Sequence, residues 1–193
     1  MIGWRARRAP ASAAGTGGPA GPAGPAGRAG GPAVRPGVRL RRMVPADLTN
    51  VLALEDELFP DDPWTAQMFA DEVAQPPGSR LYLVADTVAA DGGHATAGYA
   101  GMMFVPGGSQ ADVLTIAVSA SWWGRGIGSA LLGALIQAAR DRGCAEVFLE
   151  VREDNPRARG LYLRRGFQEI GVRRGYYQPS GVDAIVMRKD LLR

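Results

Sequence analysis

The sequence predicts a domain of the α/β (α+β) class, in which a mixed central sheet of about seven strands is flanked by about four helices. Short apolar segments typical of strands are interspersed with amphipathic helical segments from residue 38 onwards. Gly, Pro and Asn residues mark the turns between these segments. The 193 residues are 46% hydrophobic, which is enough for one domain with a full core.

Residues 1–37 are expected to form a disordered tail that precedes a folded domain over residues 38–193. The tail consists largely of Ala, Gly and Pro, so it has few large side chains to bury. Its Gly-x-y repeats are too few to sustain a collagen triple helix. The tail carries five arginines and no acidic residue, so the net charge of +3 becomes about −2 for the rest of the chain. This balance gives little support for nucleic-acid binding by the folded domain.

The first half of the folded domain is expected to contain two helices and four strands. Pro45 and Asp47 are typical of a helix start, and this helix is predicted to reach Leu58. A shorter helix is predicted from Thr65 to Val73. Strands are predicted at residues 38–43, 80–86, 97–105 and 112–118. The last of these is apolar on both faces, which is typical of the centre of a sheet.

The second half is expected to contain two further helices and three strands. A long helix follows a glycine-rich segment and is predicted to end at Arg142, before Gly143. Asn155 is typical of a helix N-cap, with Pro156 as the first helical residue. The expected strands are residues 145–151, 167–177 and 182–188.

The segment WWGRGIGS, residues 122–129, places glycine at every second position directly before the long helix. Glycine disfavours helix, so its use here indicates either a ligand close to the backbone or a helix start packed tightly on the sheet. The free N–H groups and the dipole of a helix start favour an anion, usually phosphate. A Walker A loop would need Lys after Gly128, and a Rossmann fingerprint would need glycine in place of Ser129, so neither motif is present.

Residues 123–128, WGRGIG, resemble the Gln/Arg-x-x-Gly-x-Gly/Ala loop of the GCN5-related N-acetyltransferase (GNAT) family, which holds the pyrophosphate of acetyl-CoA. The order of central strand, loop, long helix and strand is also similar to that family. Trp123 departs from the pattern, because it stands where the family has Gln or Arg. The resemblance implies a GNAT fold with a main-chain cradle that this departure leaves in place.

The segment FLEVREDNPRARGLYLRRGF, residues 148–167, resembles the second half of the same family. Further matching segments are IAV at 116–118, DDPW at 61–64 and RRGYYQPSGVDAIVM at 173–187. With them the chain is similar in particular to the ribosomal-protein-alanine N-acetyltransferases. The resemblance covers about residues 38–190 and does not include the tail.

The resemblance implies acetyl-CoA as the cosubstrate. No metal is expected, because the sequence has no cluster of Cys and His residues. The IAV strand would supply backbone N–H groups to the thioester carbonyl and the pantetheine arm, with Val118 as the best candidate. The residues implied in acetyl-CoA binding are Ile116, Ala117, Val118, Gly124, Arg125, Gly126, Ile127, Gly128, Ser129 and Asn155.

Glu150 alternates with Leu149 and Val151 in an apolar strand. Its carboxylate is therefore either paired structurally or held as a base with a raised pKa. Arg152, two residues along the same face of the strand, is a possible structural partner. By resemblance, Glu150 is the proton acceptor of the reaction.

Asn155 and Tyr162 are seven residues apart, which places them on one side of a helix. Asn155 has a structural function as a helix cap, and Tyr162 is also compatible with a position in the core. By resemblance, Asn155 contacts acetyl-CoA and Tyr162 is the general acid that protonates the departing thiolate.

Trp64, Tyr176 and Tyr177 are expected to line the acceptor groove, although each is also compatible with ordinary aromatic packing. Before Trp64 lies an acidic run formed by Glu55, Asp56, Glu57, Asp61 and Asp62. Such a run is most often a solvated face, and the alternative is an acidic rim that receives a basic peptide.

These features predict direct transfer of acetyl from acetyl-CoA to a protein N-terminal α-amine, and the resemblance implies the N-terminal alanine of a ribosomal protein as the acceptor. Two alternatives stay open: a GNAT enzyme that acts on lysine side chains or small amines, and a CoA-binding module without catalysis. The presence of both Glu150 and Tyr162 speaks against the module. The single cysteine, Cys144, favours a cytoplasmic protein, and no apolar run reaches the ~18 residues that span a membrane.

Overall fold

A computed structural model describes residues 3–5, 37–60, 63–75, 78–88 and 94–192 of the chain. Within these ranges the chain forms eight β-strands and four α-helices. The strands are β1 (Gly3–Arg5), β2 (Val38–Arg42), β3 (Arg80–Val88), β4 (His94–Phe104), β5 (Gln110–Val118), β6 (Glu146–Arg152), β7 (Gln168–Tyr177) and β8 (Val182–Asp190). The helices are α1 (Leu48–Leu58), α2 (Ala66–Val73), α3 (Ile127–Asp141) and α4 (Pro156–Arg164).

Seven of these strands form one mixed sheet in the order β2-β3-β4-β5-β6-β8-β7, and β1 pairs separately with β5. The neighbouring pairs are antiparallel except for β5 and β6, which are parallel. A parallel pair needs a long crossover connection, and α3 supplies it. The predicted fold class is confirmed, and each strand and helix predicted from residue 38 onwards is present.

Side-chain caps mark the starts of α2 and α4. The Thr65 hydroxyl accepts a hydrogen bond from a backbone N–H in the first turn of α2 at 3.2 Å. The side chain of Asn155 does the same for α4 at 3.0 Å. Helix α3 has no side-chain cap, because its N-cap residue is Gly126. None of the helices in the described ranges is long and apolar enough to cross a membrane.

The sheet separates two hydrophobic cores. Helices α3 and α4 pack on one face, where Leu131 and Tyr162 meet the inward residues of β6, such as Leu149. Helices α1 and α2 cover β3, β4 and β5 on the opposite face, with Phe69 at the centre of that core. The residues of β6 that point to this second face, including Glu150, are partly exposed.

The centre of the sheet opens where its two parallel strands diverge. Strands β5 and β6 are in register over three residue pairs, which end with Asp112 opposite Phe148. Beyond this pair β5 continues to Val118 and β6 to Arg152, and the described residues show no further pairing between the two strands. We call the gap between residues 113–118 of β5 and 149–152 of β6 the seam.

Strand β1 lies along the β5 side of the seam. It pairs antiparallel with β5, with Trp4 opposite Ile116. The sequence predicted no regular structure for residues 1–37, and Gly3–Arg5 departs from that expectation. Composition alone did not reveal that the seam leaves backbone groups of β5 open to a further strand. Residues 6–36 lie outside the described residues.

Candidate active site

The connection between β5 and α3 contains two glycines in the left-handed conformation. Gly124 and Gly126 have φ angles of 74° and 81°, which other residues adopt only with strain. Gly128 is helical, and a Cβ atom there would lie 3.7 Å from the side chains of Leu161 and Val118, an ordinary contact. The turn therefore requires Gly124 and Gly126. Packing does not explain Gly128, which fits a ligand that approaches the backbone at the start of α3.

Trp123 anchors this loop to the sheet. Its indole N–H donates a hydrogen bond to the carbonyl oxygen of Val118, at the end of β5, over 2.8 Å. The guanidinium of Arg157, from the first turn of α4, stacks 4.7 Å from the centroid of the Trp123 ring. The residue that departs from the GNAT pattern thus holds the loop in place and brings a cation next to it.

Two other side chains of the predicted acetyl-CoA segment contact protein groups. Arg125 stacks over the ring of Trp122 at 4.5 Å. The hydroxyl of Ser129 accepts a hydrogen bond from Arg165 Nε at 2.9 Å, which ties α3 to the end of α4. The side chain of Ser129 therefore contributes to helix packing. The main-chain N–H groups at the start of α3 are the groups that suit contact with an anion.

Ile116, Ala117 and Val118 form the part of β5 that borders the seam. Their side chains are buried, so the main chain is what this stretch offers to a ligand. Strand β1 is paired with the same stretch, opposite Ile116 and Ala117. A pantetheine arm bound along this edge would therefore compete with β1 for the same backbone groups.

Glu150 lies two residues beyond the last β5–β6 pair, on the partly exposed face of β6. Its side chain is 15% exposed, and a carboxylate oxygen lies 3.3 Å from the guanidinium of Arg173 on β7. Burial raises the pKa of Glu150, the positive charge of Arg173 lowers it, and the negative charge of Asp112 raises it. The pKa is raised overall, which suits a carboxylate that accepts a proton near neutral pH.

Sequence reasoning missed both charged neighbours of Glu150. Arg173 reaches it because β7 pairs with β8 and β8 pairs with β6, and Asp112 does so through the short register of β5 with β6. Only strand order and register reveal these contacts. Arg152, considered from sequence as a partner of Glu150, forms an ion pair with Asp154 at 2.7 Å.

Tyr177 carries a buried hydroxyl that has no hydrogen-bond partner among the described residues. Burial raises its pKa, and the nearby charge of Glu150 raises it further. The ring of Tyr176 packs against it edge-on, with the centroids 5.2 Å apart. A buried hydroxyl that has no partner among the described residues, and that senses the charge of Glu150, is a group that a bound substrate can satisfy.

Tyr162 and Asn155 lie on the side of α4 that faces the core. Tyr162 is 1% exposed and packs edge-on against Phe167, with centroids 5.9 Å apart. Burial raises the pKa of Tyr162, so its hydroxyl keeps its proton at neutral pH. The predicted cap at Asn155 is confirmed, and this cap uses the side-chain oxygen rather than the amide nitrogen.

Trp64 lies in the core under α1 and α2, whereas Glu150 and Tyr177 lie near the seam. Its ring packs on Phe69 with centroids 5.0 Å apart, and its backbone N–H donates to the carboxylate of Glu55 at 2.7 Å. Glu55 is 1% exposed, so the prediction that it belongs to a solvated face or an acidic rim is wrong. Asp61 and Asp62 lie outside the described residues.

The fold and the site define a class of enzyme. The start of α3 is suited to an anionic group donor, and Glu150 across the seam is suited to an acceptor that loses a proton. A sequence model of the Acetyltransferase (GNAT) family matches residues 48–167. The chain therefore belongs to the GNAT family and is an acetyl-CoA-dependent N-acetyltransferase.

The chain is similar to several N-terminal acetyltransferases. The N-alpha-acetyltransferase RimI of Mycobacterium tuberculosis is 39% identical over 156 residues, which cover 79% of this chain and 92% of that protein. The ribosomal protein bS18-alanine N-acetyltransferase of Escherichia coli (strain K12) is 41% identical over 80 residues, which cover 40% of this chain and 54% of that protein.

A comparison of this fold with solved structures indicates the same class of protein. The crystal structure of the ribosomal-protein-S18-alanine N-acetyltransferase from Escherichia coli is similar, with a TM-score of 0.67 and 29% sequence identity. The similarity covers 79% of this chain and 93% of that chain.

Proposed function

We propose that this enzyme transfers the acetyl group of acetyl-CoA to the N-terminal α-amine of a protein, in particular the N-terminal alanine of a small-subunit ribosomal protein. The names of the relatives support this acceptor. The structural observation that carries the proposal is the partly exposed carboxylate of Glu150, with a raised pKa, at the seam. The proposal places catalysis in residues 38–193 and the enzyme in the cytoplasm.

Acetyl-CoA would lie across the start of α3 and along the β5 side of the seam. The left-handed turn at Gly124 and Gly126 and the absence of a side chain at Gly128 fit a pyrophosphate held by backbone N–H groups. Main-chain groups of residues 116–118 would hold the pantetheine arm and the thioester carbonyl. The amide nitrogen of Asn155 is available from α4 for a further contact, because its cap uses the oxygen.

Two side chains divide the proton transfers in this proposal. Glu150 accepts the proton of the acceptor ammonium, directly or through water, and the resulting amine attacks the thioester carbon. The new C–N bond replaces the C–S bond, and Tyr162 donates its proton to the departing sulfur. The second proton of the attacking nitrogen is then released, and a proton returns to Tyr162 to restore its hydroxyl. The Tyr162 hydroxyl keeps its proton at neutral pH, as the donor in this step must. Burial by itself makes this hydroxyl a weaker acid, so the transfer depends on the thiolate charge that forms next to it.

The attack is direct, without an acyl-enzyme. The single cysteine, Cys144, is buried two residues before the start of β6. Burial raises the pKa of its thiol, which disfavours the thiolate that a nucleophile needs. No step of the proposed reaction uses Cys144.

An α-amine is the easier acceptor on chemical grounds. Its reference pKa lies about 2.5 units below that of a lysine side chain, which corresponds to roughly 3.4 kcal/mol less free energy for removing the proton at a given pH. A partly exposed carboxylate with one arginine partner is a modest base, and it matches an α-amine better than a lysine.

Acetyl transfer to two matched synthetic peptides tests this proposal. One peptide begins Ala-Arg with a free N-terminus and contains no lysine, and the other has the same length, a blocked N-terminus and one internal lysine. Released thiol and the mass of the peptide are measured with the full-length enzyme. We expect turnover of the free α-amine alone, and its loss in Glu150→Gln.

The other outcomes contradict the proposal in different ways. Turnover of the blocked lysine peptide alone would show a lysine acetyltransferase with the same fold and proton acceptor. Absence of turnover with both peptides, together with tight binding of CoA in a calorimetric titration, would favour a small amine as acceptor or a CoA-binding module.

A further inference from the structure

A second carboxylate lies beside Glu150 at the point where the seam opens. Asp112 is the last residue of β5 that is in register with β6, opposite Phe148. Glu150 follows Phe148 by two residues, so the side chains of Asp112 and Glu150 lie on the same face of the sheet. Both residues are partly buried, and they lie on the face of the sheet that carries α1 and α2.

Arg173 contacts Glu150, and its charge acts on both carboxylates. Its guanidinium lies 3.3 Å from Glu150. The Arg173 side chain is 50% exposed, so it neutralises the pair only in part. Two acidic groups therefore share one half-exposed cation.

We propose that the proton acceptor of this enzyme is a coupled pair, in which Asp112 is a positioning residue that acts through Glu150. This inference rests on the proposed function for the identity of the proton acceptor. The negative charge of Asp112 makes it easier for Glu150 to take up a proton, and the charge of Arg173 favours the return of that proton to solvent. Asp112 and Arg173 thus have opposite effects on the affinity of Glu150 for a proton.

The other charged and titratable groups that face Glu150 are already engaged or neutral. On β8, Arg188 lies opposite Phe148 and forms ion pairs at 3.3 Å with Glu146 and with Asp190. At the end of β7, Tyr177 is a neutral phenol whose raised pKa follows mainly from burial.

On β6 itself, Arg152 is paired with Asp154 at 2.7 Å and stacks 5.2 Å over the ring of Tyr177. These contacts leave Asp112 as the carboxylate that acts on Glu150 from across the seam. Burial raises the pKa of Asp112 as well, and the charge of Arg173 lowers it, so both carboxyls respond to the same cation.

The test is a titration of the individual carboxyl groups in the full-length protein by carbon-detected NMR. In the unmodified protein, Asp112 and Glu150 are expected to show coupled titrations. Asp112→Asn is expected to lower the midpoint of Glu150 by about half to one pH unit, and Arg173→Gln is expected to raise it by a similar amount. Glu146→Gln, which removes a carboxylate from the same face of β6, is the matched control and is expected to leave the midpoint in place.

The pH dependence of kcat/KM gives the functional counterpart. The acid limb is expected to move to lower pH in Asp112→Asn, to higher pH in Arg173→Gln, and not at all in Glu146→Gln. A Glu150 midpoint that stays unchanged in Asp112→Asn overturns the pair. So does a loss of kcat in Asp112→Asn as large as that in Glu150→Gln without a shift, because Asp112 would then accept the proton itself.

The two proposals fail in distinguishable ways. If no α-amine peptide is turned over by the unmodified enzyme, the proposed function fails, while the NMR midpoints still decide whether the two carboxyl groups are coupled. If Asp112→Asn does not fold, the titration curves of the unmodified protein decide, because uncoupled single transitions of both groups would overturn the pair.

Discussion

The two halves of the sheet differ in how they hold their carboxylates. We call β2–β5 with the segment containing α1 and α2 the first half, and β6–β8 the second half. Under α1 and α2, the buried carboxylate of Glu55 accepts a hydrogen bond of 2.7 Å from the backbone N–H of Trp64. On β6, Glu150 meets the half-exposed guanidinium of Arg173 at 3.3 Å. The first carboxylate has a short bond to a rigid donor, and the second has a longer contact with a side chain that can move.

A second pair of residues repeats this difference. Glu72 on α2 accepts from Arg80 at 2.6 Å, and the Arg80 side chain is 13% exposed. Glu146 on β6 lies 3.3 Å from Arg188, whose side chain is 36% exposed. Glu55 and Glu72 are therefore held by short contacts with largely buried donors, whereas Glu146 and Glu150 on β6 have longer contacts with more exposed cations. Glu150, the proposed proton acceptor, belongs to the second group.

The largest expected effect is on the rate. Glu150→Gln is expected to lower kcat by about 10²- to 10⁴-fold with little change in the KM for acetyl-CoA, because the amide cannot accept the proton. Steady-state kinetics with the α-amine peptide measure this. Glu72→Gln, in the first half, is the matched control and should keep kcat near that of the unmodified enzyme. Equal losses in both variants would contradict the distinction between the halves.

The second prediction concerns stability in the first half. Glu55→Leu fills a similar space but leaves the buried N–H of Trp64 without this acceptor. We expect a loss of about 1–3 kcal/mol in the free energy of unfolding, measured in urea, with kcat per folded molecule unchanged. A variant that is as stable as the unmodified protein would show that the contact with Trp64 contributes nothing.

Local signals were sufficient to predict most elements of this fold. The Asn155–Pro156 pair marked the start of α4, and the glycines at 124 and 126 marked the turn before α3, because caps and left-handed turns depend on one or two residues. The buried state of Glu55 was not predictable in this way. An acidic run looks solvated in sequence, and only the packing of the loop before α2 onto α1 buries one of its members.

The contacts within the candidate site were less predictable from local sequence signals than the elements of the fold. Glu150 and Tyr162 were identified by resemblance, and their functions in catalysis stay predictions. Glu150 lies at the seam, and Tyr162 is buried in the core under α4. Arg173 and Asp112 come from strands far apart in the chain, so their approach to Glu150 depends on the strand order and on a register of three residues. The alternation of buried and partly exposed residues in β6 indicates which face each side chain takes, but it does not indicate which distant strands become neighbours.

The third prediction concerns the seam between the two halves. Because β1 pairs with the edge of β5 that acetyl-CoA is proposed to use, deletion of residues 1–5 is expected to lower the KM for acetyl-CoA by about two- to tenfold. Deletion of residues 11–30, which keeps β1, is the control. An unchanged KM after removal of residues 1–5 would show that β1 and the cosubstrate do not compete.

The smallest expected effect is a gain in stability that accompanies the loss of activity in Glu150→Gln. Burial raises the pKa of Glu150 in the folded protein, so the ionised carboxylate destabilises the fold at neutral pH, and stability rises as the pH falls through that pKa. Replacement by the neutral amide should therefore stabilise the protein at neutral pH by less than about 1 kcal/mol, and the difference should disappear in acid.

Asp47, in the first half, gives the comparison of opposite sign. Hydrogen bonds from Arg41 lower the pKa of Asp47, so its contribution is present above the ordinary carboxyl pKa and is lost as the pH falls through the lowered value. Asp47→Asn should therefore destabilise the protein at neutral pH. The free energy of unfolding, measured in urea over a range of pH, should then fall less steeply in acid than in the unmodified protein. If Glu150→Gln and Asp47→Asn changed stability in the same direction at neutral pH, the second half would hold its carboxylate as firmly as the first, and Glu150 would be a structural residue.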